Sequence, residues 1–161
     1  KYLKLHRIKM QLPININQCP NSVSFAETND VILLVQGDTN PPLIVSLTNE
    51  EYNTISGNTT ITPIDVSTAN VELKIRKTNS NTVFANVAGT QLTGVVNTTT
   101  GEVSVDSPYD VAGVGGRVAF YWSSSDLLET GMCEGEIKIT FATSHIQTVY
   151  NLVPIKIRPK F

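Results

Sequence analysis

Apolar and polar residues alternate along most of this chain with a period of two, the pattern of half-buried strands rather than helices. In "NVELKIRKT", Val71, Leu73 and Ile75 alternate with Glu72, Lys74 and Arg76. "LIVSLT" sets Leu43, Val45 and Leu47 on one face, after the strand "VILLVQ" (Val31 to Gln36) and the turn "GDTNPP". "NTVFANV" is a weaker strand after "NSN", and "GEVSVDS" alternates again after the turn signal "NTTTG". Between Gly116 and Phe141 two clear strands flank a polar knot: Val118, Phe120 and Trp122 share one face, and Cys133, Gly135, Ile137, Ile139 and Phe141 share another. The final stretch, "HIQTVYNLVPIKIRP", reads as one strand whose phase slips between Tyr150 and Val153. Pro154 removes a backbone donor there, which suits a bulge or an edge. No helical period of useful length occurs. "SSSDLLET" supports at most one turn capped by Ser125 or Asp126.

These elements predict about eight strands separated by turn residues. Alternation leaves each sheet one wet face, so two sheets must pack face to face. The expected fold is all-β: an immunoglobulin-like antiparallel sandwich, with a jelly roll or small barrel as the alternative. The Cys…Trp…Cys spacing of antibody domains is absent. Trp122 is in phase with its strand's apolar face and is predicted to be core. Residues 1–25 read as an extended basic arm ahead of a sandwich over 26–161, and "QLPININQCP" in that arm suits pairing with a neighbour's sheet edge. Removing the arm is expected to leave the sandwich folded.

Composition agrees with a sheet protein. Charged residues make up only 16%, and 45 Thr, Asn and Ser residues fill the polar positions instead. No apolar run is long enough to span a membrane, and no signal peptide is expected, because Pro13, Asn15 and Asn17 break the stretch after the basic start. The net charge of −2 hides an asymmetry: the ends carry +7 and the body −9. Lys1, Lys4, Arg7 and Lys9 open the chain, and Lys156, Arg158 and Lys160 close it. Such polarity suits docking on an acidic neighbour, a second copy included, or simply tolerant exposed ends. The acidic body argues against nucleic acid as a partner. The seven terminal cations are therefore the candidate subunit-interface residues. Two cysteines, Cys19 and Cys133, make no disulfide framework and are expected to be free thiols, Cys133 buried by its parity and Cys19 reactive in the arm.

Four segments together carry a family likeness: "IDVSTANVELKIRKT", "GEVSVD", "GRVAFYWSSSDLLETGMCEGEIKITF" and "VPIKIRP". Over about residues 31–158 the chain resembles the immunoglobulin-like N-terminal domain of phage baseplate upper proteins and related tail proteins. Val71, Leu73 and Ile75 match the family's first alternating strand, and Val118, Phe120 and Trp122 its hydrophobic strand. Asp126 and Gly131 match its loop, and Glu134 to Phe141 its last strand. The chain departs from the family at Met132 and Cys133, where an aromatic residue is usual. The resemblance implies a phage virion structural protein that acts by subunit–subunit binding, in tail, baseplate or neck or as a capsid decoration. It implies other virion proteins and copies of itself as partners, no cofactor, no membrane, and assembly in the host cytoplasm. A carbohydrate-binding adhesin module is the alternative, with Tyr121 and Trp122 as the stacking candidates.

Candidate chemistry is sparse. The knot Ser123, Ser124, Ser125 and Asp126 has the residue types of a nucleophile, but a serine hydrolase needs a base and an oxyanion site. His6 lies in the arm and His145 in the turn before the final strand, and no G-x-S-x-G elbow occurs. The knot therefore reads as a strand-to-strand bend, with Leu127 and Leu128 folding back over the sandwich end. His6, His145, Cys19 and Cys133 lack metal-ligand spacing, and no cofactor is expected. Glu50 and Glu51 read as solvated, and "GVGG" (Gly113 to Gly116) as a flexible turn that no helix follows.

Overall fold

The computed structural model describes residues 6–11, 31–52, 56–97, 99–149 and 151–161. Its described residues form twelve strands and no helix. They are β1 (His6–Gln11), β2 (Ile32–Val35), β3 (Leu43–Tyr52), β4 (Thr59–Pro63), β5 (Asn70–Lys77), β6 (Val83–Gln91), β7 (Val95–Val96), β8 (Val103–Ser104), β9 (Arg117–Phe120), β10 (Gly131–Thr140), β11 (Ile146–Thr148) and β12 (Val153–Arg158). Ten of them make one curled sheet in the order β1-β3-β9-β6-β5-β10-β12-β2, with β4 on β3 and β11 on β10.

The curl is what makes this sheet a sandwich. β6 pairs with β5 through Val83–Ala88 and with β9 through Gly89–Gln91, so it leaves one layer and joins the other at Gly89. A Cβ at Gly89 would lie 2.5 Å from Cγ1 of Val118, which explains why the corner carries no side chain. Val45, Leu47, Val118 and Phe120 from one layer meet Val71, Leu73, Ile75, Ile137, Ile139 and Ile155 from the other, all with no exposed surface. Alternation thus predicts the inward face of β3, β5, β9, β10 and β12 correctly. Trp122 is buried at the end of this core, and its indole N–H donates to the Pro41 carbonyl at 2.9 Å.

The structure corrects the expected sandwich in four places. β2 lies parallel to β12, with Ile32 opposite Ile155, whereas every other pair of described strands is antiparallel. The two strands are remote in sequence, so no hairpin forces them antiparallel. The last predicted strand is two, β11 and β12, both against β10; the phase slip is the break between them. Pro154 sits one residue before the pairing with β2 begins, where β10 alone among the described strands flanks it. "GEVSVDS" contributes just β8, which pairs with β7 in a separate two-stranded sheet. Residues 6–11, assigned to the arm, form β1 on the edge of this chain's own β3; the domain boundary at residue 25 lies outside the described residues.

Residues 92–116 form a lobe around β7 and β8, laid over the outer face of β3 and β9. Leu92 N donates to Arg117 O, Gly113 N to Leu92 O and Leu47 N to Gly116 O, each at 2.9 Å. "GVGG" is therefore a pinned junction rather than a flexible turn. Gly116 has φ +73°, and a Cβ there would lie 2.3 Å from the Leu47 carbonyl oxygen.

Candidate binding surfaces

The serine knot folds as a turn. Asp126 accepts a hydrogen bond from the Ser123 backbone N–H at 2.6 Å, the Ser123 and Ser125 hydroxyls pair at 2.8 Å, and Asp126 N donates to Ser123 O at 3.1 Å. The carboxylate is thus used in closing the bend between Trp122 and β10. Of the two leucines expected to fold back, Leu127 is buried and Leu128 points outward, 59% exposed. The His145 ring bonds the Thr143 hydroxyl at 3.2 Å in the turn before β11, away from the knot in sequence. Among the described residues no group of three His, Cys, Asp or Glu side chains is placed to hold a metal ion. Cys133 is a free, buried thiol whose pKa is pushed up, first by burial. Cys19 lies outside the described residues.

Burial of Trp122 removes one of the two carbohydrate-stacking candidates. Tyr121, the other, is exposed.

The terminal cations divide between the two layers. Arg7 and Lys9 stand on β1, in register with Glu50 and Thr48 of β3. Lys1 and Lys4 lie outside the described residues. The three C-terminal cations run along the other end of the strand order. Lys156 on β12 is exposed, flanked in register by Leu33 of β2 and Met132 of β10. Arg158 ends β12 with its guanidinium 5.4 Å from the centre of the Phe161 ring, close enough for a cation–π contact. Lys160 pairs with Asp38 at 3.2 Å. The terminal cations on described residues therefore stand at opposite ends of the strand order, Arg7 and Lys9 on β1 and the other three on or after β12, rather than together.

Sequence reasoning missed the 92–116 lobe as a chemical feature. It carries Glu102, Asp106 and Asp110 and no Lys, Arg or His. Glu102 accepts from the Thr100 hydroxyl and Asp106 from the Ser104 hydroxyl; none of the three carboxylates has an ion-pair partner among the described residues. The missed signal was a charge count by segment: between Lys77 and Arg117 every charged residue is acidic. Beneath the lobe is a cavity of about 220 Å³ lined by Ser46, Thr48, Ile61, Pro63, Val95 and Val96, among others. The Ser46 hydroxyl, which lines it, and the Arg117 Nε are buried without a hydrogen-bond partner among the described residues, and burial pulls the Arg117 pKa down.

No family model and no curated protein matches this chain. Among solved structures, AggA, the major subunit of aggregative adherence fimbriae type I from Escherichia coli, is similar with a TM-score of 0.29 and 10% identity. The likeness covers 99% of this chain and 97% of that one. At that TM-score the likeness bears on neither fold nor function.

Proposed function

We propose that this chain is a non-enzymatic structural subunit of a phage particle, working by binding its neighbours through sheet edges and charged ends. What supports the binding mode is edge addition: β1, from the basic N-terminal segment, adds to the edge of this chain's own β3 with Arg7 in register with Glu50, and the same addition to a neighbour's β3 would hold two subunits together. The phage assignment rests on the sequence resemblance of "VELKIRKT", "GRVAFYW" and "EGEIKITF". On that reading the chain works in the virion, in tail, baseplate or neck or on the capsid, among other virion proteins, after assembly in the host cytoplasm. The serine knot supports the same reading, since its carboxylate closes a turn.

The test is co-sedimentation of the full chain and a Δ1–25 chain with phage particles, at low and raised salt. The full chain is expected to bind, to bind less as salt screens its charges beyond ~8–10 Å, and to lose binding without the arm. A truncated chain that binds as well as the full one overturns the role given to the arm. A full chain that binds no particle at any salt overturns the virion reading.

A further inference from the structure

The face formed by β2, β12 and the start of β10 combines an outer strand with exposed apolar side chains and cations. β2 is an outer strand of the sheet: β12 lies on one side, and no described strand lies on the other. Its four residues, Ile32–Val35, carry no charge and no proline. Natural edge strands are usually blunted by such residues, so this one is open to pairing. Leu33 faces solvent at 59% exposure, beside exposed Met132 and Lys156. Leu128 lies at the end of β2, where its carbonyl accepts from the Gln36 amide at 2.7 Å, and it too is exposed.

The charge of this face is positive. Of the cations on it and on neighbouring β5, Lys160 is matched by Asp38, Lys77 by Glu129 and Arg76 by Glu134. Lys156 and Arg158 have no ion-pair partner among the described residues. The lobe over β3 is its complement. Glu102, Asp106 and Asp110 have no ion-pair partner there among the described residues; Val103 and Val105, between Glu102 and Asp106 in sequence, and Val111, next to Asp110, are exposed. β8 also has β7 on one side and no described strand on the other.

We propose that the β2–β12 face of one copy docks the 92–116 lobe of a second copy. Leu33 and Met132 would meet the exposed valines, Lys156 and Arg158 the three carboxylates, and the free edge of β2 the free edge of β8. The two surfaces are different patches of the same chain. The contact is therefore head to tail, and repeats of it give a ring or a filament rather than a closed two-fold dimer. This rests on the reading of the chain as an assembling subunit and gives that reading a geometry.

The test uses the full chain and two variants, followed by sedimentation velocity over a concentration series at low and raised salt. One variant is Lys156→Ser with Arg158→Ser; the other is Glu102→Gln with Asp106→Asn and Asp110→Asn. All five sites are on the surface or in turns, and unchanged thermal melting checks that each variant is folded. The wild-type chain is expected to self-associate beyond a dimer, and less so as salt rises. Each variant alone is expected to associate about tenfold more weakly or worse. An equal mixture is expected to recover the wild-type contact but stop at a dimer, because one variant keeps the lobe and the other keeps the face. A wild-type chain that stays monomeric at every concentration and salt overturns the proposal. So does a lobe variant that assembles like the wild type, or a mixture that forms no dimer. A monomeric chain that still binds phage particles overturns the head-to-tail contact while leaving the virion reading intact. A chain that self-associates but binds no particle does the reverse.

Discussion

Trp122 and Cys133 are where single side chains contribute most visibly. Trp122 fills the end of the core and spends its one donor on the Pro41 carbonyl. Trp122→Ala is expected to cost roughly 3–5 kcal/mol, read as a lower urea midpoint, because a large buried ring leaves a cavity. Trp122→Phe keeps most of the packing and loses the hydrogen bond, so a loss near ~1 kcal/mol is expected from the unpaired carbonyl. Equal losses for the two variants would show that the hydrogen bond, not the ring's volume, holds the site. For Cys133, burial raises the thiol pKa, so the folded state favours the neutral form. The stability gained this way is complete below the ordinary thiol pKa of ~8.5 and is lost as pH climbs through the folded value. In a Cys19→Ser chain, labelling of Cys133 at about pH 8 is expected to be slow when native and fast in urea. Fast native labelling would mean that the end of β10 opens readily.

At the scale of elements, the central pair β5–β10 specifies its own register through charge. Glu72 stands opposite Lys138, Lys74 opposite Glu136 and Arg76 opposite Glu134. Arg76 grips Glu134 from two nitrogens, Nε at 2.7 Å and Nη2 at 2.6 Å. A slip of one residue would turn the apolar set to water. A slip of two would set Lys74 against Lys138 in one direction, or Glu72 against Glu136 in the other. The ladder thus penalises the slips that the hydrophobic pattern alone would tolerate. A double-mutant cycle on Arg76→Ala and Glu134→Ala is expected to give a coupling of about 0.2–1 kcal/mol that shrinks with salt. A coupling of zero at low salt would leave register to the apolar face and the turns.

For the molecule as a whole, the N-terminal strand is an attachment to a core that is already formed. The described core residues run from Ile32 to Ile157, and β1 adds to the edge of β3 by backbone pairing from His6 to Gln11. A Δ1–25 chain is expected to melt cooperatively at a lower temperature, by roughly 2–4 °C for each kcal/mol of edge pairing lost. A truncated chain without a cooperative transition would make β1 part of the folding unit rather than an attachment. Removing β1 also uncovers the edge of β3, adding to the edges of β2 and β8 that no described strand covers, so the truncated chain is expected to aggregate more readily.

A two-residue period determines which face a side chain takes, and that much is legible in the order of the amino acids alone. It directs Val71, Leu73, Ile75, Val118, Phe120, Trp122, Cys133, Ile137 and Ile139 inward, and every one of them is buried. The residue types along the chain also mark the serine knot as a bend, since no G-x-S-x-G elbow surrounds it and the chain has only His6 and His145 to offer as a base. Alternation does not say which strand lies alongside, because ladders are made by backbone groups that all residues share. Hence the parallel pairing of β2 with β12 and the crossing of β6 between layers at Gly89 are settled only by the tertiary structure. Nor does alternation say what covers a polar face. Ser46 and Thr48 read as solvent positions and are buried because the 92–116 lobe lies over them. The same folding step gathers Glu102, Asp106 and Asp110 onto one lobe and sets Lys156 beside Leu33 and Met132. In sequence that charge is only a difference between ends and middle; packing of segments remote from one another turns it into two surfaces.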